Sequence, residues 1–506
     1  MLRPLLLIST LLFAVFNLVV AQTPKEDLLP CAHTGKSDWL DAYQRGEIAA
    51  VRSTDTIVVP LRIHIVGNNL GGSFLEVGRI LDNLKQVNDD FAASNIVFHV
   101  DGDINYIADS EFDNHDFGVG IAKMLEYNAP NVVNNYFVTT AAGACGYYTG
   151  QGDAVAMADA CVGATDRTWS HELGHFFTLP HTFFGWEFGD DPVTPINDPA
   201  PSTIFGREVE RTDGSNCDGI AGDGFCDTPP DYLSFRWSCQ DDNTYVYPLL
   251  DPDGVTFEVQ GWPIMSYASD DCMVGFSDEQ TTAVRTNIFS RGNLESGLPP
   301  EYEAAVGEQM ALVYPEDSAL IQIQESEGLT LEWTEVDNAD FYIVNFSGNE
   351  FFAGAQNYIV YGQNSLNIPA SDPYIQAPQR YYWRVRPVNR FNTLGEFTPV
   401  NLILLGEIIS STSEERLLAE RVTVYPNPVE AGLNSLRLTA SGIYGNEQLN
   451  VELIDLAGRR VFQQSELSIR NGKLDYELPA LNLMQGVYFL RLVQGGRLAT
   501  KRIVIR

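Results

Sequence analysis

Eleven residues, HELGHFFTLPH at positions 171–181, constrain this 506-residue chain more than any other stretch. His171 and His175 stand four residues apart, so on a helix they share one face and both imidazoles reach a single metal ion. Glu172, beside the first of them, is placed to take a proton from a water held at that metal. Two histidines leave a tetrahedral ion under-coordinated. His181 supplies a third nitrogen if the helix ends near Phe177 or Thr178 and the chain turns back, and Pro180 helps to end it. Three of the chain's seven histidines fall within these positions. Three such ligands leave a fourth coordination position open to water, which suits a catalytic metal better than a structural one.

The N-terminus sets the compartment. Arg3 precedes the apolar run LLLISTLLFAVFNLVV, and Val19-Val20-Ala21 before Gln22 offers small residues at the cleavage positions, so residues 1–21 read as a signal peptide. No later stretch approaches 18 continuous apolar residues, and no transmembrane anchor is expected. The balance of 31 Lys+Arg against 67 Asp+Glu, a net charge of −36, argues against nucleic-acid partners and against docking on an anionic membrane. The excess is concentrated in residues 182–290, with four basic and twenty acidic residues. Seven cysteines in an exported chain permit disulfides. Cys31 stands alone. Cys145, Cys161, Cys217, Cys226, Cys239 and Cys272 lie in one stretch, and their fifteen possible pairings stay open.

The pattern along the chain divides it further. Residues 22–54 are polar and without a periodic core, which suits a pro-segment. TIVVPLRIHIV (56–66), NIVFHV (95–100), NVVNNYFVTT (131–140) and DAVAMADACV (153–162) read as strands, with an amphipathic helix over 73–93. A Gly/Pro-rich acidic stretch, 185–261, shows little periodicity and only a thin core of its own, so disulfides or ions should hold it. Helical character returns over 277–290 and through EQMALVYP (308–315). From about 318 short strands take over: LTLEWTEV, DFYIVNF, NSLNIPA and YYWRVRPVN, with Trp333 and Trp383 as core aromatics. Alternating strands resume from about 419, as in VELIDL and YFLRLV.

The histidine motif, followed by the Met-containing turn IMSY (264–267), resembles the metzincin metallopeptidases. The longer run, HELGHFFTLPHTFFG with GDGFCDTPPD and PIMSYASDDCMVGFSDEQ, resembles the pappalysin family within that clan over about 165–290, and the sheet pattern extends the likeness back to about 55. The resemblance implies an α/β metzincin-like catalytic domain, with a mixed sheet, an active-site helix and an irregular lower half. It implies a zinc endopeptidase cleaving protein or peptide substrates, with His171, His175 and His181 as zinc ligands and Glu172 as general base and acid. It places Met265 under the metal and Tyr267 where a phenol supports a ligand or the tetrahedral intermediate. One departure stands out: Thr178 occupies a tight turn where the clan has Gly, so the turn must differ or carry strain. ADACV (158–162), just before the helix, is the candidate edge strand for an extended substrate.

Asp213, Asp218, Asp223 and Asp227, in a Gly-rich loop, form an oxygen-donor set that suits Ca²⁺ without the full EF-hand spacing, and the resembled family carries calcium near this GD…DTP region. Cys31, in LPCAHTG, either occupies zinc's open position as a latency thiolate, as in cysteine-switch metzincins, or pairs with another cysteine. The segments at 318–405 resemble a fibronectin type III domain. The terminal block, with VYPNPVEAG (424–432), LIDLAGRRV (453–461), GVYFLRLVQGG (486–496) and KRIVIR, resembles the type IX secretion sorting domain of Bacteroidetes proteins. The expected layout is therefore signal peptide 1–21, pro-segment 22–54, metallopeptidase domain 55–317, fibronectin-like domain 318–405, linker 406–418 and sorting domain 419–506, the last two domains being all-β sandwiches. That address implies the type IX secretion machinery as a partner and export through the periplasm of a Gram-negative bacterium, to the medium or the cell surface. The alternative is a surface adhesion or carbohydrate-binding protein with a vestigial metal site. An intact Glu172 beside all three histidines argues against it.

Overall fold

The computed structural model describes residues 24–33, 35–188, 195–219, 221–294, 310–324, 327–391, 395–406 and most of the strand-forming residues within 422–505. The signal peptide, most of the 406–418 linker and parts of the C-terminal motif segments lie outside the described residues. No helix among the described residues is long and apolar enough to cross a membrane. The chain divides into two compact units, the first built on residues 1–306 and the second on most of 307–506.

The first unit is built on one mixed sheet. Ile57–Gly67 is buried along almost its whole length, as a strand covered on both faces must be. It runs parallel to Ile96–Val100, Asn105–Ala108 and Val133–Val138, and the last pairs in parallel with Ala154–Ala158. Gly146–Thr149 closes the sheet as an antiparallel edge. The helix Val77–Phe91 lays Val77, Ile80, Leu81, Leu84, Val87 and Phe91 inward, the stripe that a 3.6-residue period requires.

Two expectations are corrected here. ADACV is not the edge: Ala158 ends an interior strand flanked by Val133–Val138 and Gly146–Thr149, and Asp159–Cys161 is a short 3-10 turn. The edge belongs to Gly146–Thr149, whose GYYT sequence has the aromatic content of a strand. Nor does helical character reach the described part of 308–315, which begins at 310: Leu312–Tyr314 is a strand paired with Leu329–Trp333, a pairing the local pattern could not show.

Below the sheet the chain has few regular elements, yet its core is not thin. Phe183, Trp186, Tyr232, Leu233, Trp237, Leu249, Val259 and Tyr267 pack into one cluster. The disulfides Cys217–Cys226 and Cys239–Cys272 pin the same region, and Cys145–Cys161 ties the edge strand to the turn before the histidine helix. The helix Asp278–Ser290 follows, opened by a capping box of Ser277 and Gln280.

The second unit holds all-β modules. One combines a three-stranded sheet (Leu312–Tyr314, Leu329–Trp333, Ser365–Ile368) with a five-stranded one in which Phe341–Ser347, Gln379–Val388 and Asn401–Leu405 are central or near-central. Trp333 and Trp383 are fully buried, and Trp333 meets Tyr342 of the facing sheet edge-on, with ring centroids 5.3 Å apart. In the other module the sheet with Val422–Tyr425, Leu436–Ser441 and Lys473–Leu478 shares one core with the sheet holding Leu449–Asp455, Gly486–Gln494 and Arg497–Ile505. One shared core between two sheets is the sandwich arrangement.

Candidate metal centre

The histidine helix, Thr168–Phe176, is buried from Trp169 onward and is anchored by polar contacts on its hidden faces. Ser170 Oγ donates to Asp90 at 2.6 Å, Arg167 Nε donates to the same carboxylate at 3.0 Å, and Trp169 Nε1 donates to Asn135 at 2.8 Å. These contacts hold the helix against the backing helix and the sheet, which fixes the direction of the face that carries His171 and His175.

Each of the first two imidazoles is oriented by a main-chain acceptor. His171 Nδ1 donates to Ile264 O and His175 Nδ1 to Leu179 O, both at 2.7 Å. A carbonyl only accepts, so both rings carry their proton on Nδ1 and present a bare lone pair at Nε2. Those two Nε2 atoms lie 3.0 Å apart, and His181 Nε2 lies 3.2 Å from that of His175. Lone pairs converging at such distances repel unless a cation sits among them. Burial holds all three rings below the ordinary histidine range, neutral and available as ligands. The Cys31 thiol completes the group: its sulfur and one nitrogen of each histidine lie within 4.8 Å of one another. The result is a buried His/Cys cluster compatible with a metal-binding site.

Glu172 is fully buried; the Cys31 thiol and the Tyr148 main chain face its carboxylate, and neither oxygen has a hydrogen-bond partner of good geometry among the described residues. Burial raises its carboxyl to about 8. It packs against Gly146 of the edge strand so closely that a Cβ there would lie 2.8 Å from Glu172 Cγ. Met265 lies beneath the helix. A Cβ on Gly174 would collide with its sulfur, so the glycine between the two helical histidines is what lets the Met turn approach. Tyr267 meets His181 edge-on with ring centroids 4.8 Å apart, and its hydroxyl donates to Cys31 O at 3.2 Å.

Residues 24–33 and 35–51 pack against this site and the elements around it. Leu29 and Ala32 donate main-chain bonds to Gly143 and Gly146, and Cys145 N donates back to Leu29 O, so this stretch runs beside the edge strand in parallel. Lys25 pairs with Asp166 and Asp270. Farther on, Gln44 Nε2 donates to the carbonyls of Asp223 and Gly224. The six other cysteines are paired among themselves and Cys31 is the free one, so Cys31 does not serve a disulfide here.

Thr178 keeps the turn at φ +91°, a backbone region that a side chain with a Cβ makes costly, of order 1–3 kcal/mol. Its N–H donates to His175 O at 2.9 Å, and its hydroxyl lies 2.6 Å from that of Ser37. Ser37 is the N-cap of the short helix Asp38–Gln44. Strain at the ligand turn is thus accompanied by a hydrogen bond from the N-terminal stretch.

The structure does not gather the four loop aspartates. Among the described residues they form no common metal-ligating group. Asp213 caps Ser215 N, Asp227 accepts from Glu279 N at the start of a helix, and Asp223 accepts from Phe225 N and Thr228. Asp218 is exposed. Asp231, which sequence reasoning missed, is more consequential: it is buried and accepts from Thr182, next to His181, and from Ser266 of the Met turn. Glu210, also unforeseen, is buried near Asp223 and Asp231. No local pattern marks either residue.

Burial raises Glu210, Asp223 and Asp231, the last to about 6, and the charges of Asp223 and Asp231 raise Glu210 further. The folded chain therefore holds protons that the unfolded chain releases near pH 4. Their stabilising contribution is full below that point and is lost as pH rises through about 6 and beyond. Glu210→Gln should accordingly gain stability on the wild type between pH 5 and pH 8 in urea unfolding. A difference constant across that range would reject this account.

A 151-residue stretch is 28% identical to an extracellular metalloprotease of Verticillium alfalfae, covering 26% of this chain and 54% of that protein. The chain thus spans about half the length of the curated relative it matches. Among solved structures, the FN1–FN3 domains of chicken CNTN1 superpose with a TM-score of 0.23 at 13% identity, over 38% of this chain and 68% of that one. The fibronectin(III)-like modules of Clostridium thermocellum CbhA give 0.21 at 12% identity, over 39% and 93%. Scores this low carry no argument. Residues 423–506 match the secretion system C-terminal sorting domain, which makes this a secreted or cell-surface protein exported through the type IX system of Gram-negative bacteria.

Proposed function

We infer that the chain is a secreted zinc-dependent endopeptidase, made in a latent form whose N-terminal residues fill its own cleft. The observation that carries this reading is the convergence of bare histidine lone pairs on a point shared with the free Cys31 thiol. Three imidazoles and a thiolate match the nitrogen and sulfur donors that Zn²⁺ takes in tetrahedral sites. Bound there, zinc would polarise the scissile carbonyl and lower the pKa of a water.

The remaining steps belong to the chain. Glu172, with both oxygens unpartnered, accepts the proton of the attacking water and passes it to the leaving amine. The Tyr267 hydroxyl, released from Cys31 O, donates to the carbonyl oxygen as charge develops on it. The free side of Gly146–Thr149 offers main-chain donors and acceptors to an extended polypeptide. The stretch 29–32 already bonds to Gly143, Cys145 and Gly146 at the head of that side, in place of a substrate. A polypeptide substrate follows, because only a peptide backbone complements a strand edge along its length.

The test is the chain lacking residues 22–54, assayed for peptide hydrolysis with metal analysis in parallel. One zinc per chain, lost in His181→Ala, with hydrolysis of an unstructured polypeptide supports the reading. Zinc-loaded protein without hydrolysis favours the adhesion alternative.

Thr178 has a place in latency. Thr178→Gly removes the strain at φ +91° and also the hydroxyl that meets Ser37. The processed T178G chain should melt higher than the processed wild type. It should also bind a synthetic 22–54 peptide about fivefold more weakly, the equivalent of about 1 kcal/mol for one hydrogen bond. Calorimetric titration giving equal affinities would remove Thr178 from the latch.

A further inference from the structure

The three imidazoles are not held alike. His171 and His175 give their Nδ1 protons to carbonyls, whereas His181 Nδ1 faces a carboxylate, Glu187 Oε1, at 3.6 Å. Glu187 sits on the short 3-10 turn Trp186–Phe188, with its side chain 6% exposed. Its Oε2 accepts from Gly185 N at 2.7 Å, which fixes the carboxylate plane, while Oε1 has no hydrogen-bond partner. Arg207 acts on it electrostatically, but that guanidinium is stacked on the Phe184 ring at 4.3 Å. A buried carboxylate oxygen left without a partner is unfavourable, so its placement against His181 calls for a purpose.

We propose that Glu187 is the positioning residue of the third metal ligand, holding His181 in the Nδ1–H tautomer and strengthening Nε2 as a donor. This rests on the reading that His171, His175 and His181 hold zinc. A carboxylate behind a ligating imidazole orients the ring and raises its basicity. At 3.6 Å the neutral imidazole and the carboxylate are within electrostatic reach, about 0.7 Å beyond the length of a charge-assisted hydrogen bond. Withdrawal of electron density from Nε2 by a bound cation makes Nδ1–H more acidic and favours closing that gap.

Glutamine in this place would act against the site. With its carbonyl oxygen kept on Gly185 N, its amide group would point donors at His181 Nδ1. That geometry favours a lone pair on Nδ1 and the proton on Nε2, the tautomer that cannot ligate through Nε2.

The experiment uses the full chain, stripped of metal and titrated with Zn²⁺ against a chromophoric chelator. Glu187→Gln should bind zinc about 10- to 100-fold more weakly, Glu187→Asp should recover most of that loss, and His181→Ala should lose more than either. Imidazole ¹⁵N spectra of the metal-free chains should show His181 protonated on Nδ1 in the wild type and shifted toward Nε2 in E187Q. Metal-free E187Q should melt no lower than the wild type, since it removes a buried unpartnered charge. Zinc affinity of E187Q within twofold of wild type, with H181A impaired, would overturn the proposal and leave the metal reading standing. Unimpaired binding by both would overturn both. E187D binding as poorly as E187Q, with both melting low, would assign Glu187 to the fold alone and overturn the proposal.

Discussion

Glu172→Gln is expected to leave zinc content unchanged and to lower peptide hydrolysis by about 10³- to 10⁴-fold, the range for loss of a positioned general base. Glu172 is fully buried on the histidine helix, between His171 and His175. The Cys31 thiol and the Tyr148 main chain are the groups that face it. Glutamine has nearly the same shape as glutamate and keeps one acceptor oxygen for those groups, so it should fit without unfolding the helix. The amide cannot take a proton, and hydrolysis should fail at that step. Metal analysis and single-turnover cleavage of a peptide by the processed chain check both halves. Turnover within tenfold of wild type would require another base, and loss of zinc would show that Glu172 serves binding.

The second large effect concerns the intact chain. Cys31→Ala should raise its peptidase activity at least about a hundredfold without any cut, because a tethered thiol competes for the metal at an effective concentration in the millimolar range. Activation should remain incomplete. Leu29 and Ala32 keep their main-chain bonds to Gly143 and to Gly146 at the head of the edge strand, and Lys25, Ser37 and Gln44 keep their own contacts. Deletion of residues 22–54 should therefore exceed C31A, and the ratio measures how far the strand-like plug blocks the cleft by itself. Counting thiols in unfolded protein separates the disulfide rival. The wild type should show one and C31A none, since the six others are paired. A new thiol in C31A with no gain in activity would reject the latch.

Some of this was legible because it is local. Two histidines at i and i+4 share a helical face whatever surrounds them, and a proline after the helix forces the turn that returns His181. A strand buried on both faces, such as Ile57–Gly67, is a mostly apolar run, interrupted by Arg62 and His64. The capping residues of Asp278–Ser290 stand in the sequence beside the helix they start. The Thr178 departure also forced a choice between a different turn and a strained one, and the turn is strained at φ +91°.

What the sequence could not determine depends on chain segments far apart. The substrate edge was misassigned because ADACV and GYYT are both credible strands, and only the pairing order decides which one has a free side. The three disulfides were one choice among fifteen, since pairing is settled by which loops the fold brings within bonding distance. The lower half looked coreless because Phe183, Trp186, Tyr232, Trp237 and Val259 follow no period, yet they meet in one cluster. Glu187, Glu210 and Asp231 carry no motif. Each owes its weight to burial and to a neighbour supplied by the tertiary structure: His181 for Glu187, Asp223 and Asp231 for Glu210, and the Thr182 and Ser266 hydroxyls for Asp231. Spacing along a helix thus determined which side chains could share a metal. Only folding decided what stands behind them, because the energy of a buried charge is set by whatever long-range packing places against it.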